Sequence, residues 1–474
     1  MYTIILSDKT KKEDIKMTNS KHGIDMTTGA ILPKILKFTL PLMLSSILQL
    51  LFNAADIIVV GNFASENSLA AVGSTTALVN LMTNLFLGLS TGANVLSAHY
   101  MGAGDDQRVS RTVHTSITLS IISGLLMTIV GVLFADKLLG LMDTPDEVID
   151  LSTLYLRIYF AGMIAMMVYN FGSSLLRSKG DTKRPLYYLA FAGVINVVLN
   201  MIFVIFFKMD VAGVALATVI SQCVSAFLVV RCLMKETDGF RLILKKLGID
   251  KQIMLKILRI GIPAGFQGVV FSLSNVVIQS SINGFGPIVM AANSAASSIE
   301  GFVWVSMNAF SQAAISFVSQ NIGAGKYSRI NRIAFIACAC AAVAGLVFGN
   351  LAYLFGEPLL GIYDPRPEII PSGLTRMSLV CGLYFLCGLM DCCTGAIRGM
   401  GFAVAPTIVS LLGACGLRLL WIATIFQIPE YHTEFMLFLS YPLSWGITFV
   451  VHLICFVIMR RKFPKEDHQT TENI

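Results

Sequence analysis

Long apolar segments separated by short polar connections recur along the whole chain. Each is roughly 20 to 30 residues long, which is enough to cross a bilayer as a helix. Breaks at polar, glycine and proline residues divide the pattern into twelve predicted spans. The spans begin near residues 35, 69, 109, 149, 186, 211, 254, 289, 330, 369, 403 and 434. The pattern therefore predicts an all-α integral membrane protein with twelve transmembrane helices.

The second half of the chain repeats the first. The segment GAG at residues 102–104 recurs at residues 323–325, and Arg177 recurs as Arg398, both at an offset of 221 residues. Because each repeat contains six spans, an even number, the repeats are predicted to be parallel about an axis along the membrane normal. Two six-helix lobes with a shared cavity between them are typical of a transporter.

Lysine and arginine residues concentrate in alternate connections between the spans, which predicts that this side is cytoplasmic. We expect a multi-pass protein of the bacterial cytoplasmic (inner) membrane with both termini in the cytoplasm. The predicted units are an N-terminal tail (1–33), an N-lobe with helices 1–6 (34–234), a cytoplasmic linker (235–253), a C-lobe with helices 7–12 (254–460) and a C-terminal tail (461–474).

Composition excludes several classes of protein. Hydrophobic residues make up 55% of the chain and charged residues only 13%, so bulk water is not its main solvent. The net charge of +7 is divided among short connections and forms no continuous basic face, which argues against nucleic acid as a partner. The ten cysteines show no spacing typical of a zinc site, and no DDxxD, HExxH or GxSxG motif indicates an enzyme.

Six charged residues lie inside the predicted spans, where a charge costs roughly 2.5 to 3.5 kcal/mol on insertion scales. Each one therefore needs a partner, a wet cavity or a function. The acids and bases balance, so some of them can neutralise one another. They are Asp56, Glu300, Asp391, Arg157, Arg376 and Arg418.

Asp56 is predicted to lie in a polar cluster in the outer half of the membrane. It is 15 residues beyond Pro41, or about 22 Å along the helix. Asn196 and Asn200 on span five, and Thr218 on span six, reach the same depth by the same argument. A carboxylate, two amide oxygens and a hydroxyl form a ligand set suited to a proton or Na⁺. The alternative is a set of polar contacts that holds the helices together.

The other intramembrane groups leave alternatives open. Glu300 and Asp391 hold a cationic substrate or a second cation, or they form a buried ion pair with Arg418 or Arg376. Arg157 and Arg376 are expected to reach the membrane interface.

Two prolines lie at equivalent positions near the inner ends of spans one and seven. Pro41 recurs as Pro263, at an offset of 222 residues. Each removes one hydrogen bond within its helix, and the resulting bend is either a hinge or a static kink.

Several motifs together resemble the multidrug and toxic compound extrusion (MATE) family. They are LPLMLSSILQLLFNAADIIVVG, the paired GAGxxxR segments, LLRSKGDTKRPLYY, INVVLN, GVALAT and GAIRGMG. The resemblance covers about residues 30–460 and is closest to the MepA-like and NorM-like bacterial branches. It implies antiport of H⁺ or Na⁺ against cationic, amphipathic drugs, with alternating access of the two lobes.

The resemblance also implies roles for particular residues. Asp56 matches the acid of the first helix, Asn196 and Thr218 match partners in the N-lobe cation site, and Asp391 matches an acid on helix ten. Asn200 stands where many relatives have a second aspartate. Phe271 stands where NorM-like proteins have a glutamate, which argues against the NorM-type C-lobe Na⁺ site.

We therefore expect a secondary multidrug efflux antiporter that is not an enzyme and has no cofactor or structural metal ion. Na⁺ at the four N-lobe residues is the one metal ion considered. H⁺ is favoured as the coupling ion, because burial favours the protonated form of Asp56 and Asn200 supplies only a neutral ligand. The expected partners are the bilayer and small cationic drugs, and we expect a monomer. The alternatives are a lipid-linked oligosaccharide flippase of the same superfamily and a membrane-embedded transferase.

Overall fold

The computed structural model describes residues 23–142 and 144–467. Within these ranges ten helices are long and apolar enough to cross a membrane, and two bent pairs of helices each supply one further span. No β-strand occurs in the described residues. The prediction of an all-helical membrane protein with twelve spans is confirmed.

Each half of the chain supplies six of the spans, named here in chain order. Those of the N half are α1 (Ile31–Phe63), α2 (Glu66–Gly102), α3 (Asp106–Gly140), α4 (Asp146–Ala161 with Met163–Ser178), α5 (Lys183–Phe206) and α6 (Asp210–Met234). Those of the C half are α7 (Lys251–Asn283), α8 (Pro287–Gly323), α9 (Ser328–Leu354), α10 (Pro367–Val380 with Phe385–Gly399), α11 (Val404–Gln427) and α12 (Glu434–Arg460). A short helix, Gly356–Tyr363, precedes α10.

The fourth span of each half is broken. The two parts of α4 meet at an angle of 47°, and the two parts of α10 meet at 43°. In α4 the break falls at Gly162, and the Thr128 hydroxyl donates a 2.7 Å hydrogen bond to the carbonyl of Phe160 beside it. This hydroxyl satisfies a helix-end carbonyl inside the membrane, where water is absent. The apolar pattern predicted one uninterrupted span in each place and missed both breaks.

The two intrahelical prolines do not end their helices. Pro41 lies inside α1 and Pro263 inside α7, ten or more residues after each helix begins. The carbonyl of Pro263 accepts a hydrogen bond of 3.1 Å from the Thr407 hydroxyl of α11. The helices therefore continue through both positions, and a hinge function stays a prediction.

The first helix of the C half packs along the second helix of the N half. Glycines allow this close approach: a Cβ atom on Gly265 would lie 2.1 Å from the carbonyl oxygen of Leu85, and one on Gly92 would lie 2.4 Å from that of Ile257. Gly88 and Gly261 are in similarly close contact with the facing backbone. Small residues at helix contacts in membranes permit such backbone packing.

A second contact between the halves lies toward the side that carries the lysine- and arginine-rich connections, which we call the basic side. Here α2 meets α8, and Gly102 and Gly323 face each other's helix so closely that a Cβ would lie 2.0 Å or less from a backbone oxygen. Ser316 donates a 3.0 Å hydrogen bond to Asn94, and Gln320 donates one of 2.6 Å to the carbonyl of Ser178. The halves are therefore joined at the basic side.

The segment of residues 23–29 lies across this joint, and we call it the N-terminal strap. Its Ile24 amide donates to the Gly180 carbonyl of the N half at 3.2 Å. On the other side, Asn321 and Lys326 of the C half each donate a 3.0 Å hydrogen bond to the carbonyls of Met26 and Thr27. The strap thus contacts both halves. The predicted tail, residues 1–33, extends further toward the N-terminus, and residues 1–22 lie outside the described ranges.

The connection between the halves is bound to the N half. The Lys179 ammonium contacts the carboxylates of Glu236 and Asp238, and the His114 ring accepts a 3.1 Å hydrogen bond from the amide of Ile243. The linker, predicted as residues 235–253, contains the first turn of α7, which begins at Lys251.

Candidate functional site

The structure brings the four residues of the predicted N-lobe cluster together. The Asn200 amide nitrogen donates a hydrogen bond to Asp56, joining α5 to α1. The same nitrogen lies 3.3 Å from the amide oxygen of Asn196, one turn earlier on α5. Asn196 in turn donates a 3.3 Å hydrogen bond to the Thr218 hydroxyl of α6. Three helices of the N half therefore contribute to one hydrogen-bonded chain.

The cluster is buried but not closed. Asn200 is fully buried and Asn196 nearly so, whereas Asp56 and Thr218 keep partial exposure. The Thr218 side chain also lies near the Asp56 carboxylate. The amide oxygen of Asn200 is buried without a hydrogen-bond partner among the described residues. An unsatisfied buried acceptor beside a carboxylate is a place where a proton donor or a cation gains energy.

Two tyrosines of α4 face the same acid and were not identified from the sequence. Tyr155 and Tyr159 stack with their ring centroids 5.9 Å apart, and both interact electrostatically with Asp56. A small cavity lined in part by Tyr159, Thr218 and Gln222 adjoins them. Tyr155 and Tyr159 lie about 14 and 20 Å from the start of α4, and their spacing of four residues places them on one face of the helix. The depth argument could therefore have included them.

The orientation of the amides determines what this site binds readily. A cation needs oxygen atoms directed toward it. Here amide nitrogens point at Asp56 and at Thr218. Protonation of Asp56 needs no rearrangement of these groups, whereas a cation between Asp56 and Thr218 would face amide nitrogens.

The C half contains a different buried polar cluster. Arg376 binds both carboxylate oxygens of Glu300, at 2.7 and 2.6 Å, and donates a 2.7 Å hydrogen bond to Asn293. Glu300 and Arg376 are each only 5% exposed. Of the two alternatives for Glu300, the structure shows the ion pair. The expectation that Arg376 reaches the membrane interface is wrong, because its carboxylate partner holds it inside the lobe.

Arg418 lies beside this pair and forms no salt bridge within the described residues. Its guanidinium carbon is 4.3 Å from the ring centroid of Tyr441 and 5.4 Å from that of Trp445. Arg376 contacts the same tyrosine, with its guanidinium carbon 5.3 Å from the ring centroid. The hydroxyl of Ser444 accepts a 2.8 Å hydrogen bond from the Arg418 Nε.

Two further intramembrane charges, Asp391 and Arg157, remain. Asp391 is partly buried, interacts electrostatically with Arg398 and lies near Trp304. It forms no salt bridge among the residues that the structure describes, with Arg376 and Arg418 included. A role for Asp391 toward a substrate or a second cation therefore stays a prediction. Arg157 is exposed, as expected for a side chain that extends toward the interface.

Comparison with known proteins shows the family. The MatE family model matches residues 41–202 and 263–423, once in each half. The probable multidrug resistance protein YoeA of Bacillus subtilis is 26% identical over 87% of this chain and 91% of its own length. The probable multidrug resistance protein NorM of Thermotoga maritima is 24% identical over 81% of this chain and 84% of its own.

The fold is also that of a solved structure. A multidrug resistance MATE family transporter in an outward-facing conformation superposes with a TM-score of 0.87 at 22% identity, and the match covers 94% of this chain and 99% of that one. The predicted resemblance is confirmed, and so is the prediction that the protein is not an enzyme. With a MatE domain in each half, the chain belongs to the MatE family of membrane transporters.

Proposed function

We propose that the protein is a multidrug efflux antiporter that couples the export of amphipathic cationic drugs to the entry of protons. The observation that carries this proposal is the Asp56 cluster, a largely buried acid that has no basic partner among the described residues and whose hydrogen-bonding neighbours are neutral. The names of relatives that are similar over most of the chain support the efflux function. They favour it over the flippase alternative.

Protons are favoured over Na⁺ because the hydrogen bonds of the cluster already suit a carboxyl group. Asn200 donates to Asp56, and this contact is compatible with either charge state of the acid. One carboxylate can exchange one charge, and a substrate cation that enters the space between the halves would compete for it. Release of the proton on one side and its return from the other would couple the two fluxes.

Transport requires that the halves separate at the basic side. Three features hold them together there: the close packing of α2 against α8 at Gly102 and Gly323, the hydrogen bonds of Asn94 and Gln320, and the N-terminal strap. We propose that the halves rock about the shared cavity and that bends near Pro41 and Pro263 accommodate the motion. Breaking these contacts opens the site toward the basic side.

The basic side is proposed to be cytoplasmic, with both termini on that side of the bacterial inner membrane. The distribution of lysine and arginine supports this orientation. Lys245, in the linker, would then be reachable only from the cytoplasm. A cysteine at this position should be labelled only after the cells are permeabilised.

The coupling proposal is tested with Asp56→Asn in inverted membrane vesicles, under separately imposed pH and Na⁺ gradients. The change keeps size and hydrogen bonding but removes titration, so gradient-driven drug transport should be abolished while the amount of folded protein stays the same. The control is Asp150→Asn, which makes the same change at an exposed residue near the start of α4 and should have no effect. Uphill transport by Asp56→Asn at the wild-type rate would assign coupling elsewhere, with Asp391 as the next candidate.

A further inference from the structure

Arg418 is a buried cation that takes no part in the proposed coupling mechanism. It is 3% exposed and lies on α11, about 21 Å from the start of that helix and about 13 Å from its end. At this depth it is below the layer of lipid headgroups. An arginine inside the membrane is costly, so a partner or a function is expected.

Arg418 forms no salt bridge with an acidic side chain of the described residues. The neighbouring groups with the largest electrostatic effect on Arg418 are Tyr441, Cys387, Cys415 and Tyr384, and none of these four is a carboxylate. Glu300, the nearby acid, has both oxygens bound by Arg376. Two arginines and one glutamate therefore leave one positive charge in the cluster.

The guanidinium also keeps unused donors. Of its five N–H groups, only Nε–H donates a hydrogen bond within the described part of the chain, to Ser444. The two terminal nitrogens form the pair that binds a carboxylate or phosphate in a bidentate manner. Tyr441 and Trp445 hold the plane of the guanidinium in position. The group is thus oriented before any ligand arrives.

The repeat shows where in the lobe this group lies. The 221-residue offset pairs Arg418 with Val197, which is next to Asn196 of the N-lobe cluster. The same offset pairs Arg376 with Tyr155, which faces Asp56. The arginines therefore occupy, in the C half, the place that the coupling site occupies in the N half, and the charge there has the opposite sign.

We propose that Arg418, with Tyr441 and Trp445, forms a subsite for the anionic group of a planar aromatic substrate. The carboxylate or phosphate of the substrate binds the two terminal nitrogens, and its ring packs against the aromatic side chains. The proposal rests on the proposed efflux function, because it requires that the ligand reach Arg418 from the space between the halves when the halves move. It extends the substrate class from cations to aromatic anions and to molecules that carry both charges.

The test uses purified full-length protein in detergent without any ion gradient. Binding of 2-naphthoate and of its neutral analogue 2-naphthamide is measured by calorimetry for the wild type and for Arg418→Gln. Naphthoate should bind the wild type about 10- to 100-fold more tightly than naphthamide, as expected for hydrogen bonds to a charged group. Arg418→Gln should remove that difference.

Matched variants separate a binding role from a structural one. Arg157→Gln removes an exposed arginine of the N half and should leave the preference for naphthoate intact. Arg418→Lys keeps the charge without the paired donors and should restore part of the preference.

Equal binding of the two compounds by the wild type would overturn the proposal even if Arg418→Gln did not fold. An unchanged preference for naphthoate in folded Arg418→Gln would overturn it as well. Because no gradient is applied, these results do not depend on whether Asp56 couples transport to protons.

Discussion

The two halves of the molecule share one fold but bury opposite chemistry at equivalent places. In the N half, Asp56 is surrounded by amides, a hydroxyl and tyrosines, and the structure describes no basic partner for it within residues 23–142 and 144–467. In the C half, the position equivalent to Asp56 is Ile278, and the position equivalent to Tyr155 is Arg376. The repeat has therefore conserved the helix packing while the polar groups inside each half diverged.

This difference separates a group that can change its charge from one that cannot. An acid with neutral neighbours gains or loses a proton without leaving another buried charge unpaired. Glu300 is bound through both oxygens to Arg376, so its protonation would leave a buried arginine without a partner. The N half is therefore suited to coupling, and the ion pair of the C half is suited to holding α8 and α10 together.

The largest expected effect comes from breaking the ion pair of the C half. Glu300→Gln leaves Arg376 buried and uncompensated, which should lower the free energy of unfolding by about 3 to 5 kcal/mol. Asp56→Asn, the matched change in the N half, should lower it little, because no basic partner is left unpaired. Thermal unfolding of the purified proteins in detergent measures both effects.

The double variant Glu300→Gln/Arg376→Gln is the control for this comparison. It removes both charges and should recover much of the stability that the single change loses. If Glu300→Gln were as stable as the wild type, or if Asp56→Asn were the less stable of the two, the assignment of a structural role to the C half would be wrong.

A smaller effect is expected where the halves contact each other. Gly265→Ala places a Cβ 2.1 Å from the carbonyl oxygen of Leu85, so α7 must move away from α2. Overpacking of this kind typically costs about 1 to 3 kcal/mol. Gly73→Ala, also in a helix but with no atom within 4 Å of the added Cβ, should be tolerated. Equal unfolding temperatures for the two variants would argue against a tightly packed contact.

In the repeat, the contact between α1 and α8 is equivalent to that between α7 and α2, so the residues at the two contacts can be compared. The repeat offsets pair Gly88 with Ala309 on α8 and Gly265 with Met43 on α1. Larger residues at these positions indicate that the glycine approach is particular to α2 and α7. These glycines therefore bring α7 close to α2 of the N half, although α7 belongs to the C half.

The twelve spans could be predicted from sequence because each one needs a long apolar segment to cross the bilayer. The predicted starts lie within about four residues of the observed ones; α12, for example, begins at Glu434 as predicted. The breaks in α4 and α10 could not be predicted in this way. They depend on tertiary contacts such as that of Thr128 with Phe160, and an apolar window does not detect such contacts.

The depth argument placed Asp56, Asn196, Asn200 and Thr218 in one layer, and the structure brings them into contact. The same argument was incomplete for Arg376. Its position near a helix end suggested the interface, but depth alone does not show which face of a helix a residue occupies. The pairing with Glu300 depends on how α8 and α10 pack, and only the structure shows this.

An effect of about 1 kcal/mol is expected within the N-lobe cluster. Asn200→Ala removes the hydrogen bond to Asp56 and should slow proton-driven transport roughly fivefold. Asn200→Asp instead replaces the amide donor with a second carboxylate, and Na⁺ should then stimulate transport. Drug efflux from vesicles with and without a Na⁺ gradient measures both variants. Na⁺ stimulation of the wild type that equals that of Asn200→Asp would contradict proton coupling.

The smallest effect concerns the anchoring of the linker to the N half, which has no charged equivalent in the C half. Arg184 donates a 2.6 Å hydrogen bond to Glu236, and Lys179 contacts the same carboxylate. At the offset of 221 residues, the C half has the uncharged Ala405 and Met400 in place of these two cations.

Burial raises the pKa of Glu236, but the hydrogen bonds and charges of Lys179 and Arg184 lower it by more, so the pKa lies below its usual value. A lowered pKa means that the ionised form stabilises the folded protein above the unfolded-state pKa of about 4.3, and that this stabilisation is lost as the pH falls through the folded-state value. Glu236→Gln should therefore cost about 1 kcal/mol at pH 7, and the difference from the wild type should disappear in acid, where the wild-type group is also neutral. The free energy of unfolding of both proteins is measured from pH 7 downward. A difference between them that stayed constant or grew on acidification would contradict this account.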